Sequence, residues 1–240
     1  SGRLNLMAVV PEVIKKFGGA GHYVNTVSPT YAREIRNTYF EVDRLLRDIE
    51  HRFGGILNGI DFSVWDPETD RALARNFSIQ DGIPAVRDAR TVNRNVLMSL
   101  VSKEGDISTM GIPQDKLHGS LDPRSTRPLV GVVSRFVGQK QIDIVARMCR
   151  DIAEGRMPDP GVDFVILGTE GLEAGQTSEI EEDIADVARK MNGRMAYVQF
   201  YSDAFSKMIY ASVDMFIIPS DYEPSGLTQM IAMRYGAVPI

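Results

Sequence analysis

Short apolar segments alternate with amphipathic helical patterns through the second half of this sequence, and this alternation restricts the fold more than any other feature. The apolar segments lie at 129–133, 163–168, 195–200 and 213–218, and a further one opens at 238. Helical spacing fills the intervals, at 142–154, 178–191, 204–211 and 226–235. Strands that alternate with helices pair in parallel, because each right-handed crossover returns the chain to the same edge of the sheet. The sequence therefore predicts an α/β fold with a parallel sheet.

The first half of the chain is less regular and suggests two further divisions. A short strand is predicted at 24–27, followed by one helix over 32–53 whose apolar residues recur every three or four positions. From 61 to 128 the sequence is polar and interrupted by proline, with one helix predicted at 91–102. The predicted divisions are therefore 1–60, 61–128 as a crossover or linker, and 129–240.

Composition excludes several classes of function. The 240 residues are 43% hydrophobic and 25% charged, with a net charge of −5, which argues against nucleic acid as the main partner. No apolar run approaches the ~20 residues that span a bilayer. The three histidines, at 22, 51 and 118, lack the spacing of metal ligands. The single cysteine, Cys149, cannot form a disulfide within the chain and fits a reducing compartment such as the cytoplasm.

Charged residues follow two of the predicted strands. Glu223 lies in a turn between the strand at 213–218 and the next helix, where strand ends and free helix N–H groups favour anionic ligands. Arg135 and Lys140 follow the strand at 129–133, where fixed cations would stabilise a leaving diphosphate. The alternatives are that Glu223 only complements the helix dipole and that the two cations are solvated surface charges.

Four segments, in order, resemble the glycogen synthases of bacteria and the starch synthases of plants. They are the residues 26–35 (TVSPTYAREI), 55–61 (GILNGID), 133–140 (VSRFVGQK) and 223–229 (EPSGLTQ). Ser225 stands where the family usually has Cys. Ile231 occupies the position at which many related transferases carry a second Glu, which favours the glycogen/starch synthase group. These enzymes form glycosyltransferase family 5 and have the GT-B fold, two Rossmann-like domains facing across a cleft.

The resemblance implies retaining transfer of glucose from ADP-glucose or UDP-glucose to an α-1,4-glucan, without a metal or other cofactor. Bacterial members favour ADP-glucose. Glu223, Arg135 and Lys140 match the catalytic positions. The residues matching the nucleotide-sugar site are Arg135, Lys140, Gly168, Tyr201, Glu223, Gly226, Leu227 and Thr228. The glycine loop departs from the family spacing, since Gly171 follows Gly168 by three residues. Tyr201 matches an aromatic residue that stacks on the base, and packing is an equal alternative.

The family pattern also suggests that the chain is a fragment. Residues 1–60 match only the tail of the N-terminal, acceptor-side domain, so the strand at 24–27 is predicted to be an unpaired edge. Residues 129–240 match a Rossmann-like nucleotide-sugar domain truncated at its C-terminus. We expect weak nucleotide binding and little or no transfer by the chain alone, a separate N-terminal half as partner, and a cytoplasmic location, or a plastid in a plant or alga. The alternative is a non-catalytic nucleotide-binding or regulatory module. A sugar-nucleotide epimerase of the same fold is disfavoured by the segments at 55–61 and 223–229.

Overall fold

The computed structural model describes Val13, Lys16, Gly18 and residues 23–37, 43–169 and 178–240. The chain divides into two compact units. The first contains the described residues up to Ile60 together with Glu223–Leu227, and the second contains Asp61–Tyr222 and Thr228–Ile240.

The first unit is a small two-stranded parallel sheet covered by helices. Strand β1 (Val24–Thr26) pairs with β2 (Phe53–Gly55), and helices α1 (Pro29–Asn37) and α2 (Asp43–Asp48) lie between them in sequence. Helix α1 begins where the sequence favours it, because the Ser28 hydroxyl accepts a hydrogen bond from the Tyr31 N–H (3.0 Å) and Pro29 occupies the first turn. The core of the first unit is formed by Ala32, Ile35, Leu46, Ile49 and Phe53.

Two predictions for this region are wrong. The helix predicted over 32–53 extends too far, since α2 ends at Asp48 and Phe53 opens β2, so the helical spacing of Phe53 was coincidental. Residues 38–42, within the range of that predicted helix, lie outside the described residues. The strand predicted as an unpaired edge is paired, because the chain returns after α2 to lay β2 parallel to β1.

The second unit is built on a six-stranded sheet. In chain order its strands are β3 (Leu117–Leu121), β4 (Leu129–Arg135), β5 (Asp163–Thr169), β6 (Arg194–Val198), β7 (Met215–Phe216) and β8 (Val238–Pro239). The order across the sheet is β3-β6-β5-β4-β7-β8, and every pairing is parallel except that of β3 with β6. The predicted α/β class with a parallel sheet is confirmed.

Helices cover the sheet and bury its core. They are α3 (Gly82–Leu100), α4 (Ile142–Ala153), α5 (Glu179–Lys190), α6 (Asp203–Ser212) and α7 (Leu227–Arg234). Helices α4 and α5 pack together with apolar residues of β4, β5 and β6, and α3 packs on α6. Cys149 lies in this core, where burial raises the pKa of its thiol to about 12, so it behaves as an unreactive apolar residue.

The strand order places a switch point beside β4. The chain runs outward through β5 and β6 on one side of β4 and through β7 and β8 on the other, so the crossovers diverge between β4 and β7. In open parallel sheets, ligands bind outside the carboxyl ends of the strands at such a point. The fold therefore directs attention to the loops that follow β4, β5 and β7.

The segment 61–128 differs from the predicted linker, because it is part of the second unit. Helix α3 begins at Gly82, well before the predicted start at Thr91, since Pro84 falls within the first turn, where proline is tolerated. Strand β3 was not predicted, because its sequence, Leu-His-Gly-Ser-Leu, is short and polar at the centre. It forms the antiparallel edge of the sheet beside β6.

A single guanidinium joins α3 to the elements that carry the switch point. Arg90 donates hydrogen bonds to the backbone carbonyls of Tyr210 (3.4 Å), Val213 (2.5 Å) and Tyr235. Burial lowers the pKa of Arg90, and the nearby carboxylate of Asp214 opposes that shift. The carbonyl of Tyr210 lies in the last turn of α6, and those of Val213 and Tyr235 directly follow α6 and α7. Arg90 therefore fixes the C-terminal ends of both helices against α3.

Candidate functional site

A cavity of about 630 Å³ opens in the second unit at the carboxyl ends of β4 and β5. Strands, helices α6 and α7 and the intervening loops all contribute to its wall. The lining residues are Trp65, Val133, Ser134, Arg135, Lys140, Leu167, Gly168, Thr169, Tyr201, Ser206, Tyr210, Thr228 and Ile231. Its size falls within the range of small-molecule sites, and its position is the one that the strand order indicates.

The described lining of the cavity is basic although the chain is acidic. Among the residues that the structure describes, its lining includes the cations of Arg135 and Lys140 and no carboxylate, whereas the whole chain carries a net charge of −5. Arg135 is exposed at the end of β4, and among the described residues its guanidinium has no acidic partner. Lys140 ends the short helical turn Gly138–Lys140 in the following loop. This arrangement favours an anionic ligand.

Gly168 is needed for the close approach of two strands beneath the cavity. It lies opposite Ser134 in the β4–β5 ladder, and a Cβ atom there would be 2.0 Å from the Ser134 carbonyl oxygen and 2.7 Å from the Phe136 ring. The Tyr197 hydroxyl donates a hydrogen bond to the Gly168 carbonyl (3.3 Å), and its ring stacks on Phe136 at 5.7 Å. Gly168 therefore shapes the floor by the absence of a side chain.

One wall of the cavity is an aromatic cluster around Tyr210. The Tyr210 ring stacks on Phe216 with ring centroids 4.6 Å apart, packs edge-to-face with Trp65 at 6.0 Å, and lies tilted by 42° against Tyr235 at 6.2 Å. Thr228, in the first turn of α7, lines the same cavity. Burial raises the pKa of Tyr210, so the phenol stays protonated at neutral pH. The cluster places a rigid apolar surface beside a helix N-terminus.

Tyr201 stands at the rim of the cavity. It is 67% exposed and immediately precedes Ser202, whose hydroxyl accepts a hydrogen bond from the Phe205 N–H (3.2 Å) and so caps α6. The cap fixes where α6 begins, and hence the backbone position of Tyr201, the residue before the cap. An exposed aromatic ring at the mouth of a cavity can stack on a flat ligand group.

The loop that carries Lys140 is joined to the loop that leads to Glu223. The Gln139 carbonyl accepts a hydrogen bond from the Asp221 N–H (3.1 Å), and the Gln139 side-chain amide donates to the Tyr222 carbonyl (2.5 Å). The two loops that follow β4 and β7 are thereby held together across the switch point. The geometry is that expected of adjacent strand ends in a parallel sheet.

The structure brings together some of the residues that the sequence selects for a ligand site. Arg135, Lys140, Gly168, Tyr201 and Thr228 line the cavity. The remaining candidates, Glu223, Gly226 and Leu227, fall in the segment Glu223–Leu227, which belongs to the first unit. Gly226 has a φ of 62°, a left-handed conformation that glycine adopts readily, directly before α7.

The lining also includes residues that the sequence analysis did not select. They are Trp65, Val133, Ser134, Leu167, Thr169, Ser206, Tyr210 and Ile231. Most extend the strand ends already identified or sit on apolar helix faces, where periodicity indicates only a core position. Trp65 comes from outside the predicted sheet domain, and no local pattern connects it to the cavity.

A second cavity, of about 690 Å³, lies on the second unit near the amino ends of β7 and β8. It contains Arg87, Arg90 and Arg94, but Arg90 is bonded to backbone carbonyls and Arg94 forms an ion pair with Asp214 at 2.7 Å. Two of its three cations are thus already used to hold the fold. The cavity at the carboxyl ends of the strands is therefore the better candidate site.

Two classes of feature are missing from the part of the chain that the structure describes. No cluster of three or more metal-ligating side chains occurs in the described ranges. Nor does any helix in those ranges combine the length and the apolar character that crossing a membrane requires.

Comparison with known proteins identifies consistent relatives. No protein-family model matches the chain. A glycogen synthase of Elusimicrobium minutum is 32% identical over 243 residues, covering 96% of this chain and 43% of that protein. A glycogen synthase of Rhodopirellula baltica is 35% identical over 216 residues, covering 89% of this chain and 36% of that protein.

A solved structure agrees with these sequence relatives. The catalytic domain of starch synthase IV from Arabidopsis thaliana, bound to ADP and acarbose, superposes with a TM-score of 0.68 at 32% identity. The match covers 91% of this chain and 38% of that one. The chain thus spans about two fifths of the length of the proteins it matches. The family resemblance seen in the sequence is confirmed, and the chain belongs to the glycogen/starch synthase family of glycosyltransferases.

Proposed function

We propose that the cavity of the second unit binds the nucleoside diphosphate of a nucleotide sugar, and that the chain serves retaining transfer of glucose from ADP-glucose or UDP-glucose to the non-reducing end of an α-1,4-glucan. The observation that carries this proposal is a cavity at the switch point whose described lining places the cations of Arg135 and Lys140 at the carboxyl end of β4, in an acidic chain. Its relatives named glycogen synthase support the reaction, and the starch synthase IV structure bound to ADP supports the ligand.

The chemistry requires stabilisation of a diphosphate that gains negative charge as the bond to glucose breaks. Arg135 and Lys140 act as fixed cations on that leaving group, each worth about 1.5–3 kcal/mol as a hydrogen bond to a charged group. The N–H groups of Leu227 and Thr228, in the first turn of α7, lack intrahelical partners and add donors for the same oxygens. Glu223 is assigned to the transferred glucose, and Gly226 lets the chain turn before α7.

Recognition of the base is assigned to Tyr201. Its exposed ring stands at the rim, so stacking on adenine would leave the diphosphate pointing toward the cations. Base–aromatic stacking contributes about 1–3 kcal/mol and tolerates different bases, so Tyr201 alone does not exclude uracil. We favour ADP-glucose as the donor because the starch synthase IV structure contains ADP.

The remaining assignments concern metal, partner and compartment. We propose that binding requires no divalent cation, because Arg135 and Lys140 already supply positive charge at the cavity. Chelation with EDTA should leave the affinity for ADP unchanged. We assign the protein to the cytoplasm, or to a plastid in a plant or alga, where the buried free thiol of Cys149 would remain reduced.

A separate N-terminal half is proposed as the partner that supplies the acceptor side. Supplying such a half in trans should restore glucan synthesis if the chain serves catalysis. If it binds nucleotide normally but never supports synthesis, the chain is a nucleotide-binding or regulatory module instead.

The first experiment is calorimetric titration of the folded chain with ADP, ADP-glucose and UDP. We expect saturable ADP binding that the double variant Arg135→Ala, Lys140→Ala weakens by about 100-fold or more, since two charged hydrogen bonds are lost. The matched control is Arg124→Ala, Arg147→Ala, which removes the same charge from side chains that are 92% and 71% exposed outside the cavity. Equal affinity in the two double variants, or no ADP binding by a chain that circular dichroism shows to be folded, would contradict the proposal.

A further inference from the structure

Thr169 is a polar residue of the cavity lining whose hydroxyl proton has a defined acceptor. It ends β5 and lines the cavity beside Gly168. Its Oγ1 donates a hydrogen bond of 2.5 Å to Oε1 of Glu181, a residue of α5 that is 1% exposed. Because a hydroxyl group has one proton and two lone pairs, this oxygen can act toward a ligand only as an acceptor.

Glu181 is held in place as an ionised acceptor. It lies in the first turn of α5, where the helix dipole favours a negative charge. Its other carboxylate oxygen, Oε2, accepts a hydrogen bond from the Ser178 N–H (3.0 Å), and the Ser178 hydroxyl accepts one from the Glu181 N–H (3.3 Å). This capping box fixes the carboxylate from the helix side while Oε1 binds Thr169. An ionised carboxylate has no proton to give, so the Thr169 hydroxyl is the donor.

The strand order places Thr169 between two positions that the proposed function assigns to opposite ends of a nucleotide. Thr169 is paired with Arg135 at the ends of β5 and β4, and β6, on the other side of β5, leads to Tyr201. Neighbouring strands lie ~4.8 Å apart, so the three positions follow one another along the carboxyl edge of the sheet. A nucleoside diphosphate has the same order, because ribose joins the base to the diphosphate. With the base at Tyr201 and the diphosphate at Arg135, the ribose lies at Thr169.

The polarity of this middle position suits a sugar better than a phosphate. Ribose carries two hydroxyl groups that can donate hydrogen bonds, whereas the oxygens of an ionised phosphate can only accept them. An oxygen whose proton is held by a buried carboxylate is a strengthened acceptor, because each hydrogen bond in such a chain polarises the next. It therefore attracts a hydroxyl group and repels a phosphate oxygen.

We propose that Thr169 is a specificity-determining residue that accepts a hydrogen bond from a ribose hydroxyl of the nucleotide, and that Glu181 is a positioning residue that fixes the polarity of this contact. The inference rests on the proposed function of the cavity. It adds to that function a ribose subsite between the base and the diphosphate, and it gives a reason for the carboxylate buried behind the end of β5.

The test is calorimetric titration of the chain with ADP, with dideoxy-ADP, which lacks both ribose hydroxyls, and with inorganic pyrophosphate. The unmodified chain should bind ADP about 3- to 10-fold more tightly than dideoxy-ADP, the effect of one hydrogen bond. Thr169→Val should abolish this preference and leave pyrophosphate affinity unchanged, whereas Thr169→Ser, which keeps a hydroxyl, should retain the preference.

Glu181→Gln tests the polarity of the contact. The Ser178 N–H needs an oxygen acceptor, so the glutamine carbonyl should face Ser178 and its NH2 group should face Thr169 Oγ1. That amide then occupies a lone pair that the ribose would use, and the polarising charge is gone. The preference for ADP over dideoxy-ADP should therefore fall. In a Thr169→Val background the same substitution should have no further effect on the preference.

The matched control is Ser178→Ala. It removes a hydroxyl group from the same capping box, one that does not line the cavity. We expect it to lower the melting temperature without changing the ratio of ADP to dideoxy-ADP affinity. Equal affinity of the unmodified chain for the two nucleotides, or a preference that survives in Thr169→Val, would overturn the ribose subsite while leaving the proposed function intact. Failure of the unmodified chain to bind either ADP or pyrophosphate would overturn both.

Discussion

Replacing Gly168 by alanine tests whether the cavity floor depends on the close approach of β4 and β5. The added Cβ would lie 2.0 Å from the Ser134 carbonyl oxygen, and Cβ contacts under 3.0 Å essentially do not occur, so the strands must separate by about 1 Å. Separation at this paired position weakens one or two ladder hydrogen bonds, at about 1 kcal/mol each, and overpacks the site by about 1–3 kcal/mol. We expect a loss of about 3 kcal/mol, which lowers the melting temperature by ~6–12 °C in a chain of this size.

The measurement is urea and thermal unfolding followed by circular dichroism, with Gly138→Ala as the control. A Cβ at Gly138 would meet no atom within 4 Å, so that variant should stay within about 0.5 kcal/mol of the unmodified chain. The reasoning also predicts weaker ADP binding in Gly168→Ala, because Ser134 and Thr169 flank the moved segment and both line the cavity. A Gly168→Ala protein as stable as the Gly138→Ala protein would refute it.

Three further outcomes are expected. Arg90→Met should lower the free energy of unfolding by about 2–4 kcal/mol in a denaturation series, because three backbone carbonyls lose a charged donor. The control, Arg87→Met on the exposed side of the same helix, should change it by less than about 0.5 kcal/mol. Tyr201→Ala should weaken ADP binding by about 5- to 100-fold and leave pyrophosphate binding and the melting temperature unchanged; equal loss for pyrophosphate would exclude base stacking. Burial lowers the pKa of His118 in the folded chain, so the unfolded chain binds the proton at a higher pH than the folded chain does. The free energy of unfolding should therefore fall as the pH drops through the ordinary value of 6.5. The same dependence of stability on pH in His118→Gln would disprove this.

The sequence predicts the second unit better than the first for a physical reason. The strands β4, β5 and β6 are continuous apolar runs buried on both faces, and each is followed by a helix with a clear apolar face, so local pattern and global fold agree. Phe53 shows the opposite case, because its helical spacing from Ile49 was overridden when the chain turned into β2. The antiparallel β3 has no such pattern and is specified by its pairing with β6.

The residues of the candidate site also divide into those that the local sequence indicates and those that it does not. Arg135 and Gly168 could be selected because they end predicted parallel strands, whose carboxyl ends meet at one edge. Trp65 and Tyr210 could not, since Trp65 reaches the cavity only through the packing of a distant loop and Tyr210 occupies a position that an apolar residue would fill equally well in the pattern. Whether a hydroxyl group on an apolar helix face has a partner depends on tertiary packing, which the local sequence does not encode.

The contrast between a basic cavity and an acidic chain bears on how an anion arrives. At ~0.01 M salt the screening length is ~30 Å, so an approaching nucleotide experiences the repulsion of the whole chain, with its net charge of −5. At ~0.1 M that length falls to ~10 Å, the distant repulsion is screened, and the attraction of Arg135 and Lys140 acts on molecules already at the mouth. Added salt therefore first reduces the long-range repulsion of the ligand and, at higher concentration, weakens its attraction to the two cations. The association rate constant should be highest at an intermediate ionic strength.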